Sequence, residues 1–247
     1  KMTRFRHEPV KRFGKEININ SKIKEFYNEI KKYNINDLIN KMISKKLNVG
    51  VLIFNQADVP NFAGPFEVFA ICSELQNRAL FNVFTVAKTL SSINAVNGLS
   101  VKPSYSFLNV PKIDVLIISG GAGTRRLMAD KKTLNWINKI HKATTFTLSF
   151  CSGARLLAVL NLLDSKPYCT HRGVYNHLKE IVSNGIPKPK KRFVQSSEKI
   201  FTSEGISAGI DMSLHIIELL YTKTMAKETE HNMEYKLESL AHNTVLN

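Results

Sequence analysis

The sequence predicts an α/β protein built on a doubly wound, mostly parallel sheet. Strand-length apolar runs recur at 49–54, 81–87, 114–118 and 146–150. Strands that are apolar throughout, without alternation, belong to sheets covered on both faces. Helical stretches separate these runs, and that order gives parallel strands joined by right-handed crossovers. Short loops follow the strands at 55–61, 119–124 and 151–153. Sites in such sheets form outside the carboxyl ends of the strands, so the three loops are expected to converge.

The elements follow in order. Residues 1–47 are Lys-rich, and 1–19 show no clear period. Ile23, Phe26, Tyr27 and Ile30 share one face of a helix, and Ile35, Leu38, Ile39 and Met42 share one face of a second. This stretch reads as a basic, partly helical N-terminal extension, with 48–240 as the folded domain and 241–247 as a tail. After the first strand and the polar loop 55–61, a helix is expected from Gly64 to Leu75. Residues 91–108 read as short strands and turns, with Asn97-Gly98 as the turn signal. A helix at 132–142 leads to the strand 146–150, and a further helix at 152–163 follows it directly. A helix at 174–182, short strands near 192–195 and 199–203, and helices at 207–222 and 225–240 complete the chain.

Composition removes several function classes. Net charge is +15, and residues 1–47 hold 13 Lys or Arg against 5 Asp or Glu. The rest has one dense basic run, 188–192, and no helix-turn-helix, zinc-finger or RNP pattern, so no nucleic-acid partner is expected. No run reaches the roughly 18 apolar residues of a membrane helix. The three cysteines show no CxxC spacing and there is no HExxH, so no metal is expected. The odd cysteine count fits a reducing compartment, and a cytoplasmic location is the expectation. The glycine loop read as GxGxxG gives Gly121-Ala-Gly123-Thr-Arg-Arg126, which fails at the third position. No GxxxxGK[ST] exists either, so no cofactor is expected.

One stretch carries chemistry. The run 146–150 breaks at once into Cys151-Ser-Gly-Ala154. A tight strand-to-helix turn needs small neighbours, and it sets a thiol at a helix start, where free N–H groups favour an anion. A reactive cysteine is a thiolate, yet free cysteine is also a common core residue, and both readings are open on these residues alone. The glycine loop would serve beside Cys151 as a set of backbone N–H donors, an oxyanion hole shared with the N–H of Ser152.

These pieces form an ordered set: Val51-Leu-Ile-Phe54, Asn61-Phe-Ala-Gly-Pro-Phe-Glu-Val-Phe69, Asp114-Val-Leu-Ile-Ile-Ser-Gly-Gly121, Phe150-Cys-Ser-Gly-Ala154, Leu162-Leu-Asp164, Cys169-Thr-His171 and Thr202-Ser-Glu-Gly-Ile-Ser-Ala-Gly-Ile-Asp211. In this set the chain resembles the ThiJ/PfpI family of the class I glutamine amidotransferase-like superfamily. It is most similar to the branch holding isonitrile hydratases and the sensor domains of AraC-type regulators. The regulators' DNA-binding half is not expected here. The resemblance implies a flavodoxin-like sheet, a homodimer and no cofactor. It implies that Cys151 is a nucleophile at a strained elbow, with oxyanion N–H groups from Gly121 and Ser152 and the Ser152 hydroxyl beside the thiol. It places His171 near the thiol, although a histidine there also suits a helix cap. Gly120, Asn61 and Glu204 are expected to line the site. The family usually has Asp or Glu where this chain has Asn61. Asparagine cannot exchange protons near neutral pH; Asp58 is close in sequence, but loop spacing argues against its substituting. Two functions are therefore expected. One is a cysteine-dependent hydratase, hydrolase or glyoxalase-like enzyme on a small electrophile. The alternative is a non-catalytic ligand or redox sensor using Cys151. In either case the Cys151 pKa is expected below the free value of about 8.5.

Overall fold

The computed structural model describes residues 46–78 and 80–235. The helices expected at 23–30 and 35–42, the end of the helix expected at 225–240, and the tail 241–247 lie outside the described residues.

Seven strands form one sheet: β1 (Leu47–Leu52), β2 (Phe81–Ala87), β5 (Tyr105–Ser106), β6 (Val115–Ile118), β7 (Phe146–Phe150), β10 (Phe193–Gln195) and β11 (Ile200–Ser203). Their order is β10-β11-β7-β6-β1-β2-β5. Every neighbouring pair is parallel except the edge pair β10 and β11. The central strands are the apolar runs of the sequence, and all four residues of β6 and of β11 are buried. Register aligns Ile117 with Val51 on one side and Leu148 on the other, so branched side chains stack across the sheet centre. Two further two-stranded sheets pair β3 (Ile93–Asn94) with β4 (Ser100–Val101), and β8 (Pro167–Tyr168) with β9 (Ile186–Pro187). Asn97 and Gly98 turn the β3–β4 hairpin with φ of 66° and 91°.

Seven α-helices are described: α1 (Val59–Leu75), α2 (Thr124–Leu127), α3 (Lys131–Ala143), α4 (Ala154–Val159), α5 (Tyr175–Ile181), α6 (Ile206–Leu220) and α7 (Lys223–Asn232). They fall into two mutually packed groups. One is α1 with α6 and α7; the other links α2, α3, α4 and α5. The central strands are thus covered on both faces. No helix among the described residues is long and apolar enough to cross a membrane.

Two boundaries differ from expectation. Helix α1 begins at Val59, not Gly64, so Asn61 sits in a helical first turn instead of a loop. Pro60 suits this first turn, where a missing N–H costs nothing. Pro65 lies inside the helix and cannot donate to the carbonyl one turn earlier. That turn is held instead by the Asn61 N–H on the Asp58 carbonyl at 3.0 Å and by the Asp58 N–H on the Gly120 carbonyl at 3.0 Å. Helix α4 stops at Val159, short of the expected 163, because Asn161 adopts a left-handed φ of 58°.

Candidate active site

Strand β7 ends in the sheet centre, and the next residue, Cys151, has a φ of +52°. A non-glycine residue in that region costs on the order of 1–3 kcal/mol and persists only where the surroundings fix it. Here both backbone groups are fixed. The Cys151 N–H donates to the Glu204 carbonyl at 2.9 Å, and the Thr170 hydroxyl donates to the Cys151 carbonyl at 2.8 Å. The turn therefore holds the thiol at one angle.

The glycine loop after β6 closes against this elbow. A Cβ on Gly120 would lie 2.7 Å from the Cys151 Cβ and 2.9 Å from the Asn61 Nδ2, so only glycine lets the loop approach. Gly121 has a φ of +131°, and a Cβ there would meet the Gln56 carbonyl at 2.3 Å. Its N–H, expected as an oxyanion donor, is already committed: it donates to Ser152 Oγ at 2.8 Å, and that hydroxyl donates back to the Gly121 carbonyl at 3.0 Å. Ser152 is thus a clasp between two loops. The Cys151 sulfur lies beside Ser152 and Asn61, whose polar groups favour its ionised form.

Asn61 is buried, at 1% exposure. Its Nδ2 donates to Asp58 Oδ2 at 3.1 Å, and its Oδ1 has no hydrogen-bond partner among the described residues. Loop spacing argues against Asp58, yet with the early start of α1 Asp58 lines the same cleft as Cys151. His171 lines the cleft but is exposed, and its Nδ1 accepts the Gly173 N–H at 3.2 Å. It is the N-cap of a 3-10 turn, Arg172–Val174. Glu204 does not line the cleft with its side chain. It contributes the backbone carbonyl that fixes Cys151, and burial raises its carboxyl pKa, opposed by Arg192 and His171.

The cleft has a volume of about 550 Å³. The loops after β1, β6 and β7 all reach it, as expected, and the start of α6 after β11 adds Gly205, Ile206 and Ser207. Two lining residues escaped the sequence reading, Arg125 and Arg155. Arg155 follows Cys151 by four residues, one helical turn, and interrupts an otherwise apolar run; that spacing was the available signal.

The thiol does not carry the depressed pKa expected of it. Burial pushes the Cys151 pKa up, and the Asp58 carboxylate pushes the same way, against the hydrogen bonds from Ser152 and Asn61. Burial also raises Cys72, and it pushes Cys169 to about 12. Cys169 Sγ donates to the Lys188 and Lys191 carbonyls and lies outside the cleft. A thiol whose pKa is pushed up is a weaker nucleophile, and a base that removes its proton would activate it. Asp58 is the one carboxylate lining the cleft among the described residues.

Comparison with known proteins agrees with this architecture. Residues 48–219 match the DJ-1/PfpI family. Isonitrile hydratase of Pseudomonas putida is 31% identical over 189 residues, covering 76% of this chain and 78% of that protein. The HTH-type transcriptional regulator GbdR of Pseudomonas aeruginosa is 24% identical over 172 residues, and the match spans 46% of its length. Among solved structures, a THiJ/PfpI family protein from Pseudomonas syringae superposes with a TM-score of 0.70 at 24% identity, covering 81% of this chain and 78% of that one. DJ-1beta of Drosophila melanogaster gives a TM-score of 0.68 at 16% identity, covering 78% and 100%. A parallel sheet with a strained cysteine elbow, matched over most of its described length, identifies the chain as a member of the DJ-1/PfpI family.

Proposed function

We propose that this protein is a cysteine-dependent hydratase or hydrolase acting on a small electrophilic carbon, with Cys151 as the attacking atom. The observation that carries the reading is the strained Cys151 held in one cleft with the Asn61–Asp58 pair. In this scheme Asp58 takes the thiol proton as sulfur adds to the carbon, and the same proton then goes to the substrate. Asn61 holds Asp58 through Nδ2 and steadies the sulfur. The Ser152 N–H faces the charge that develops beside the thiol, while the Ser152 hydroxyl keeps the glycine loop in place. Water then releases the product and regenerates the thiol. His171 orders the cleft wall, where its Nδ1 accepts the Gly173 N–H. The 31% identity to an isonitrile hydratase makes isonitriles the first substrates to test. A homodimer belongs to this reading, and light scattering at micromolar concentration checks it.

The test is formamide production from a panel of isonitriles. The wild-type protein is expected to turn over, Cys151→Ser to lose all turnover, and Asp58→Asn to fall by about a hundredfold or more. Turnover that survives Cys151→Ser removes the scheme. The second reading is a ligand or redox sensor, and the amide at position 61 is the observation that favours it. Burial of the thiol counts against the redox form, since the sulfenic step needs a thiolate. Ligand binding at Cys151 with no product from any isonitrile would favour the sensor.

A further inference from the structure

Arg155 is 5% exposed, yet it has no acidic partner among the described residues. Its Nη1 donates to Thr124 Oγ1 at 3.2 Å and its Nε to His177 Nδ1 at 3.4 Å, neither of them a carboxylate. Burying a guanidinium without a counter-charge is costly, and proteins normally pair it. This chain does so elsewhere: Arg192, though more exposed, is paired with Asp211. Arg125 lines the same cleft, and the two cations repel each other enough to lower the Arg155 pKa further after burial has lowered it. Asp58 is the single opposing carboxylate among the described lining residues, and it is engaged by Asn61. The cleft thus holds two arginines against one acid. Arg155 also has donors left over, because a guanidinium offers five N–H groups and only two have named acceptors.

We infer that the cleft is built for a small anionic substrate: Arg155 and Arg125 hold its carboxylate in the cleft that Cys151 lines, with the thiol facing the electrophilic carbon. This deepens the reading of Cys151 as the attacking thiol and rests on it for the placement of the carbon. The planar guanidinium fork fits a carboxylate in a two-bond geometry that a point charge would not fix. Cys151 and Arg155 line the same cleft, which suits a substrate that carries its carboxylate close to the reacting carbon.

Iodoacetate and iodoacetamide test this directly, because they alkylate the same thiol and differ in charge. The ratio of iodoacetate to iodoacetamide rate at Cys151 is expected to exceed that of glutathione by about tenfold, and Arg155→Met is expected to lower it by a similar factor. Arg125→Gln, at an exposed position, should lower it by about threefold without a folding risk. If Arg155 serves only the thiolate, both reagents slow together in Arg155→Met and the ratio stays put, which overturns the inference. A second measurement works without the thiol. Oxamate is expected to raise the Tm of Cys151→Ser, its neutral diamide oxamide is not, and the oxamate shift is expected to vanish in Cys151→Ser/Arg155→Met. Equal responses to the two compounds, or an oxamate shift that survives loss of Arg155, overturn the anion site. Failure of both reagents to label Cys151 ahead of Cys72 and Cys169 would instead overturn the attacking-thiol reading, and the oxamate result would still decide the anion site.

Discussion

In the proposed scheme Asn61 is a pivotal residue, an amide at a position where the family resemblance leads one to expect an acid. Its Nδ2 lies 3.1 Å from Asp58 Oδ2, and its side chain favours the ionised form of Cys151. Asn61→Asp would set two carboxylates side by side next to the thiol. Like charges at that distance raise one carboxyl pKa and disfavour the thiolate. The pH–rate profile for Cys151 alkylation is therefore expected to move up by about one unit in Asn61→Asp; a downward move would contradict the hydrogen-bonding role given to the amide. The strand-end turn pointed to Cys151 and Ser152, and the family resemblance pointed to Gly120 and Asn61; the structure brings Cys151, Ser152 and Asn61 into one cleft. The sequence missed the commitment of the Gly121 N–H to Ser152, since that bond joins loops 31 residues apart and no spacing encodes it. It also missed Arg155, whose charge is hidden in an apolar helix and acquires meaning only from the cleft.

The elbow between β7 and α4 is stable because its neighbours absorb the strain. Thr170 reaches across from the segment after β8, and Glu204 from the end of β11. Thr170→Val would leave the buried Cys151 carbonyl without that donor, and the loss is expected to be about 1–3 kcal/mol, read as a lowered urea midpoint at unchanged m-value. A change within experimental error would mean that the elbow does not need the clamp. The strands were legible because each is an unbroken apolar run, and most helices because their apolar faces repeat. The start of α1 was not, because Pro60 fell in the stretch read as the polar loop 55–61, while the structure seats it in the first turn of the helix. The end of α4 was missed for the opposite reason: apolar residues continue past it, and Asn161 ends it through its backbone.

At the scale of the whole molecule, several buried acids of high pKa share one consequence. The ordinary cysteine value is 9.0, and Cys169 is raised to about 12 by burial; Cys72, Cys151 and Tyr168 are raised by burial too. The unfolded chain releases these protons first. Stability is therefore full below about pH 9 and is lost as pH rises towards 12. Tm measured across that range is expected to fall steadily, and Cys169→Ala to flatten part of the fall; a flat wild-type curve would remove the burial argument. The mostly parallel sheet and the meeting of three loops outside the carboxyl ends of its strands followed from the alternation of elements, whereas the strand order and the fourth wall, at the start of α6, depended on how the strands pair. All of this converges on one thiol. Peptide mapping after brief, limiting iodoacetamide at pH 8 measures it most directly. Cys151, which alone among the three lines the cleft, is expected to carry the label well before Cys72 and Cys169, and the fast phase to disappear in Cys151→Ser. Labelling of Cys72 or Cys169 as fast as Cys151 would contradict the assignment of this cleft as the site of reaction.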